Sequence, residues 1–166
     1  LEFNVRFNAD AEEIVFGNAK TIKIYVDINR TLSLKKDASY DASRRTISYT
    51  ITVSSAGVNN NVVLTDNLSG NWLEMYSLDD VVITSNKNRD FSGVTKAING
   101  RELTVTIPSM EHGENIYIKY TVQVVNTDQM HPTTKDDAVN ATTNTVTGNW
   151  SGNNTVSVNK PEVYNP

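Results

Sequence analysis

The stretch RTISYTITV, residues 45–53, alternates polar and apolar side chains from Thr46 to its end. Such alternation is typical of a β-strand that buries one face, because successive side chains point to opposite sides of a sheet. Similar short runs recur through the chain and are separated by turn-forming residues, which predicts an all-β sandwich or barrel. The other runs are 20–28, 31–38, 61–66, 79–84, 101–107, 115–125, 138–147 and 154–158.

Turn-forming residues between the runs predict where the chain reverses. Asn99-Gly100 stands between two alternating segments, 94–98 and 101–107, and is a strong signal for a two-residue β-hairpin. Pro108 follows and is expected to end its strand, because proline has no backbone N–H to donate to a neighbouring strand. The polar segment 127–137 is long enough to form a loop that crosses between two sheets.

Composition and charge exclude several classes of function. The chain has 166 residues, a net charge of −4 and no cysteine. The acidic balance and the lack of a basic stripe argue against nucleic acid or an anionic membrane as a partner. No apolar run approaches the roughly 20 residues that a membrane helix needs. No signal-peptide pattern opens the chain, which suggests a mature or excised segment.

The length suits one β domain with short additions. We expect lead-in strands or an edge extension over residues 1–29, one β-sandwich domain over 30–160 and an exit linker over 161–166.

Three polar residues lie on strand faces that the alternation predicts to be buried: Lys36, Asp66 and Asn140. Burying an amine, a carboxyl or a carboxamide alone is costly, and severely so when the group is charged. The cost becomes understandable if the three groups meet and react. The rows of alternate residues are Leu32, Leu34, Lys36 and Ala38; Val62, Leu64, Asp66 and Leu68; and Ala138, Asn140 and Thr142, continued by Asn144 and Val146.

An ordered set of sequence blocks resembles the isopeptide-forming domains of Gram-positive surface adhesins, of the collagen-adhesin type. The resemblance covers residues from about 31 to 158, and Lys36, Asp66 and Asn140 follow one another in the family's order. It implies an immunoglobulin-like sandwich of two antiparallel sheets. The matching blocks are LSLKK (32–36), YDASRRTISYTITV (40–53), NNVVLTDNL (60–68), ELTVTIP (102–108), IYIKYTVQVVN (116–126) and AVN (138–140).

The resemblance also implies a role for each polar residue. Lys36 is expected to attack the carboxamide of Asn140, with loss of ammonia, while Asp66 acts as the acid and base. Burial lowers the pKa of a lysine and makes a neutral, nucleophilic amine available. Contact between the groups replaces a bimolecular reaction by a proximate one, which is worth on the order of 7–11 kcal/mol. The reaction occurs once within one chain, so no enzyme activity is expected.

Two neighbours compete for these roles. A shift of one residue in register would turn Lys35 inward in place of Lys36. Asn144 lies on the same predicted face as Asn140 and is the alternative electrophile.

The sequence therefore predicts a structural or adhesive module of an extracellular, cell-wall-associated surface protein, locked by a Lys36–Asn140 bond. The alternative is a ligand-binding adhesin domain for a host matrix protein such as collagen or for a glycan. In adhesins of the collagen-adhesin type, two sandwich domains together surround the ligand, and one such domain is evident in this sequence. No cofactor and no metal site are expected, because the chain has no recognisable ligand spacing. The aromatic residues considered for a glycan platform are Trp72, Tyr76 and Trp150.

Overall fold

The computed structural model describes residues 31–68, 73–75, 77–126, 145–149 and 156–159, and these residues form two antiparallel β-sheets of five strands each. This architecture confirms the predicted all-β sandwich. The strands of the first sheet are β1 (Leu32–Asp41), β2 (Thr46–Ser55), β8 (Asn115–Val124), β4 (Leu73–Met75) and β5 (Val82–Ser85), the last two both paired with β8. The second sheet has the order β10 (Val156–Asn159), β9 (Thr145–Asn149), β3 (Asn59–Asn67), β7 (Glu102–Met110) and β6 (Thr95–Asn99).

The core consists of the alternate side chains that the two sheets turn toward each other. Along β2 the buried apolar residues are Ile47, Tyr49, Ile51 and Val53, the apolar positions of the 45–53 run. β8 buries its own alternate residues in the same way, from Ile116 to Val124. These faces pack because burying apolar surface is the main stabilising contribution to folding.

The predicted hairpin is present. β6 ends at Asn99, Gly100 has a φ of 60°, and Asn99 pairs with Glu102 at the start of β7. The two residues of the turn are therefore Gly100 and Arg101, one residue later than the predicted Asn99-Gly100. Glycine adopts the left-handed conformation of the first turn position without steric cost.

The prediction that Pro108 ends its strand is wrong. β7 continues to Met110, and pairing with β3 is present on both sides of the proline, at Ile107 with Val62 and at Ser109 with Asn60. The residue opposite is Asn61, whose φ of 53° takes it out of extended backbone. Pairing is thus interrupted at this position, so the missing N–H of the exposed proline costs no ladder hydrogen bond.

The predicted strand 79–84 is shorter than expected. Leu78–Asp80 forms one turn of 3-10 helix, and β5 begins at Val82. The Oγ of Ser77 accepts a hydrogen bond from the Asp79 N–H, which caps the turn and competes with extended backbone. The strand β4 was not predicted.

Several expectations fall outside the described residues. These are the run 20–28, the crossing loop 127–137 and the terminal segments 1–29 and 161–166. The proposed division into domains therefore stays a prediction. Within the described part, no helix has the length and apolar character required to span a bilayer.

Candidate functional site

A lysine and an aspartate meet in the interior between the two sheets. Lys36 on β1 is 3% exposed and Asp66 on β3 is 1% exposed. The Nζ of Lys36 donates a hydrogen bond to Oδ2 of Asp66 over 2.5 Å. Because β1 and β3 belong to different sheets, this contact crosses the core. A buried pair of this kind is costly to desolvate, so packing alone gives no reason for its presence.

Lys35 is not the inward lysine. Its side chain is 71% exposed and forms an ion pair with Asp37 at 2.8 Å on the outer face of β1. The register that places Lys36 in the core is fixed by β2, where Ile51 lies opposite Lys36. A slip of one residue would expose the whole apolar row of β1.

Two tyrosine rings form a wall beside the Lys36 amine. Tyr49 on β2 and Tyr120 on β8 are direct cross-strand partners, and their rings stack with centroids 5.3 Å apart. The amine lies 4.6 Å from the Tyr49 centroid and 5.8 Å from that of Tyr120. Ring faces attract a cation, so the wall partly offsets the loss of water around the amine.

The two oxygens of Asp66 have different surroundings. Oδ2 accepts hydrogen bonds from Lys36 and also from the hydroxyl of Tyr120, over 2.5 Å. Oδ1 is buried and has no hydrogen-bond partner among the described residues. An unsatisfied buried acceptor is unusual in a folded protein and points to a further partner or to a chemical role.

The lysine is poised to lose its proton. Burial is the largest influence on the pKa of Lys36 and lowers it, whereas the charge of Asp66 and its hydrogen bond raise it. The balance lowers the pKa from 10.5 to about 8. At pH 7 about one amine in ten is then neutral and able to act as a nucleophile.

The strand β9 lies next to the acid. Asp66 pairs directly with Val146, which is fully buried. Farther along β9, a Cβ on Gly148 would lie 2.9 Å from a methyl carbon of Leu34 on β1. The small residue at this position lets β9 approach the strand that carries Lys36.

The predicted electrophiles lie outside the described residues. Asn140 and the alternative Asn144 both precede β9, and the assignment of either stays a prediction. The same holds for the aromatic residues of the glycan alternative, Trp72, Tyr76 and Trp150.

Sequence reasoning missed Tyr49 and Tyr120 as parts of the site. Both stand in alternating runs among isoleucines and valines, so their burial was predictable. A buried tyrosine hydroxyl usually needs a polar partner, and that requirement is the signal that could have found them.

A second buried polar cluster was also missed. Glu114 is 1% exposed and accepts hydrogen bonds from Ser85 Oγ, Arg89 Nη1 and the backbone N–H of Glu111, all within 2.9 Å. Burial, the largest influence, raises the pKa of Glu114, but these hydrogen bonds together outweigh it and hold the pKa below its usual value. The cluster joins the end of β5 and the β5–β6 connection to the β7–β8 turn, and none of its residues belongs to the strand that carries Lys36. Within the described ranges no group of acidic, histidine or cysteine side chains has the arrangement of a metal site.

No protein-family model and no curated protein matches the sequence. Solved structures do match the fold. A variant of BcpA, the major pilin subunit of Bacillus cereus, aligns with a TM-score of 0.53 and 15% identity over 78% of this chain and 38% of its own. The collagen binding domain of the Erysipelothrix rhusiopathiae surface protein RspB aligns with a TM-score of 0.52 and 14% identity, over 79% of this chain and 43% of its own. A C-terminal fragment of GBS80, the major pilin of Streptococcus agalactiae, aligns with a TM-score of 0.54 and 13% identity, over 81% of this chain and 56% of its own.

These identities are too low to carry function across, and this chain spans less than two thirds of each of the three matched chains. The likeness extends over most of the present chain. It therefore establishes the architecture, and the protein has the fold of Gram-positive pilins and collagen-binding adhesins.

Proposed function

We propose that this chain is a structural or adhesive module of an extracellular Gram-positive surface protein, and that Lys36 forms an intramolecular isopeptide bond with Asn140. The observation that carries the proposal is the buried contact between Lys36 and Asp66 across the two sheets. The shared fold with pilins and adhesins supports the cell-surface setting.

The reaction needs three groups and releases one molecule of ammonia. The neutral Nζ of Lys36 attacks the side-chain carbonyl carbon of the asparagine, and a new C–N bond forms. The bond from that carbon to the side-chain nitrogen then breaks. One N–H proton of Lys36 passes through the Asp66 carboxyl to the leaving nitrogen, so ammonia departs and an amide remains. The protein supplies proximity, a dry site and the acid.

Asn144 remains the alternative electrophile. The resemblance favours Asn140 by its place in the AVN block. The register places Val146 opposite Asp66, and Asn144 precedes Val146 by two positions whereas Asn140 precedes it by six. This shorter separation is the argument for Asn144, and the experiment below distinguishes the two.

The benefit of the bond is mechanical. It would join β1 to the segment that leads into β9 and close a loop of roughly 100 residues, which in the entropy model stabilises the fold by about 4–5 kcal/mol. An amide resists reduction, unlike a disulfide, and the chain contains no cysteine. Such a bond suits a module that transmits tension between neighbouring domains of a longer surface protein.

Intact mass tests the proposal. We expect the purified chain to be lighter than its sequence mass by one ammonia, and Asp66→Ala to restore the full mass because the acid is lost. Circular dichroism on both proteins controls for folding. Peptide mapping then identifies the electrophile, and Asn140→Ala and Asn144→Ala variants provide the matched pair. An unshifted mass in fresh and in aged wild-type protein contradicts the cross-link.

A second candidate function is collagen binding. It is favoured by the likeness to the collagen binding domain of RspB and to ACE of Enterococcus faecalis, which is described as binding its ligands by the collagen Hug model. A solid-phase collagen-binding assay distinguishes the roles. Saturable collagen binding favours a receptor module. The absence of collagen binding, together with an intact mass that is lower by one ammonia, favours a stalk module.

A further inference from the structure

Oδ2 of Asp66 has no remaining capacity for a third partner. An ionised carboxylate offers about two lone-pair directions on each oxygen. On Oδ2 the Lys36 amine and the Tyr120 hydroxyl, each at 2.5 Å, take both of them. Any further group that Asp66 serves must therefore approach Oδ1, which has no hydrogen-bond partner among the described residues.

The Tyr120 hydroxyl is itself held firmly in place. Tyr120 is 4% exposed, and its ring stacks on that of Tyr49 with the centroids 5.3 Å apart. Direct cross-strand pairing of these two residues fixes the ring relative to β2, and Lys36 lies on the next strand, β1. The donor that reaches Asp66 from the first sheet is thus positioned by the same strands that position the amine.

We propose that Tyr120 is a positioning residue for isopeptide formation, which turns Oδ2 of Asp66 to the lysine and reserves Oδ1 for the carboxamide. The inference rests on the proposed function. It assigns a separate role to each carboxyl oxygen of Asp66: Oδ2 receives the proton that Lys36 releases, and Oδ1 contacts the asparagine carboxamide that the amine attacks. Without the Tyr120 hydroxyl, Lys36 alone holds Oδ2, and the carboxamide can compete for that oxygen.

The hydroxyl also affects the protonation of the amine. A donor on Oδ2 disperses part of the negative charge that holds the proton on Lys36. Removing the donor leaves more charge facing the ammonium, which raises the pKa of Lys36. The titratable groups that face this amine from the packed strands are Tyr49 on β2, Tyr120 on β8 and Asp66 on β3.

The test uses the full chain with Tyr120→Phe, which keeps the ring and its stacking. Each protein is recovered from inclusion bodies in urea, and its intact mass is checked to show that it has not reacted. It is then refolded by dilution at a series of pH values between about 6 and 10. Intact mass against time gives the rate of ammonia loss. We expect Tyr120→Phe to react about tenfold more slowly, with its half-maximal rate at a higher pH than wild type.

Tyr117→Phe is the matched control, because Tyr117 lies on the opposite face of the same strand and is only partly buried. It should react like wild type. Equal rates and pH profiles for Tyr120→Phe and wild type overturn the inference while leaving the cross-link intact. A uniformly slower reaction with an unchanged profile also overturns it, since that result indicates a structural role. If wild type loses no ammonia, the proposed function fails and this inference fails with it.

Discussion

Lys36 is an ionisable group that folding places where the charged form is disfavoured. Its pKa falls from 10.5 to about 8 on folding. Between these values the unfolded chain binds more protons than the folded chain, so stability must rise with pH over this interval. For a chain that lacks the cross-link, we expect the free energy of unfolding to increase from about pH 8 to pH 10.5, by on the order of 3 kcal/mol.

Urea unfolding of the Asn140→Ala, Asn144→Ala double variant measures this dependence, because neither candidate electrophile remains. The reference is the same protein with Lys36→Met and Asp66→Asn, which removes both charges of the buried pair. Other lysines and tyrosines titrate alike in both proteins and cancel in the difference. Parallel pH profiles would mean that Lys36 keeps its ordinary pKa in the folded state.

At the scale of elements, Glu114 joins the β5–β6 connection to the β7–β8 turn. Its carboxylate accepts hydrogen bonds from Ser85, Arg89 and the backbone of Glu111. Glu114→Gln keeps the shape but leaves Arg89 without its countercharge, so we expect a loss of about 1–3 kcal/mol in the free energy of unfolding. Because the pKa of Glu114 is lowered, the wild-type contribution is present above about pH 4.5 and is lost as the pH falls through the depressed value.

Glu111→Gln is the control for that measurement. Glu111 lies in the same turn, but its side chain is 72% exposed and its ion pair with Lys87 spans 3.3 Å. Exposed pairs of this kind contribute little, and we expect a change below about 0.5 kcal/mol. Equal losses for the two variants would show that the turn responds to charge in general and not to the buried cluster.

The strands were predictable from sequence where the alternation is long and one face is apolar. β2 and β8 lie within one or two residues of their predicted bounds, because a strand with one buried face allows a single register. The failures have local causes. Pro108 is tolerated inside β7 by the unusual backbone of Asn61 opposite, and the Ser77 cap shortens the 79–84 run. Neither effect appears in a pattern of apolar and polar residues.

At the scale of the molecule, half of the candidate site could be predicted. Alternation shows which face of a strand a side chain occupies, and this placed Lys36 and Asp66 inside. It says nothing about which residues of one sheet meet those of the other, because that depends on how the sheets pack. The hydrogen bond from Tyr120 to Asp66 crosses between sheets and for this reason escaped sequence reasoning.

The proposed cross-link is expected to dominate the stability of the whole sandwich. Closing a loop of roughly 100 residues is worth about 4–5 kcal/mol, which for a chain of this size corresponds to about 10–20 °C in Tm. We expect the Asn140→Ala, Asn144→Ala double variant to lose this amount in a calorimetric scan. Lys36→Ala should lose more, since it also leaves Asp66 buried without its partner. Lys35→Ala should change Tm little, because Lys35 and its ion pair are exposed. If the double variant has the same Tm as wild type, no cross-link contributes and the two strands are held by packing alone. If Lys35→Ala and Lys36→Ala lower the Tm equally, the inward lysine is wrongly assigned.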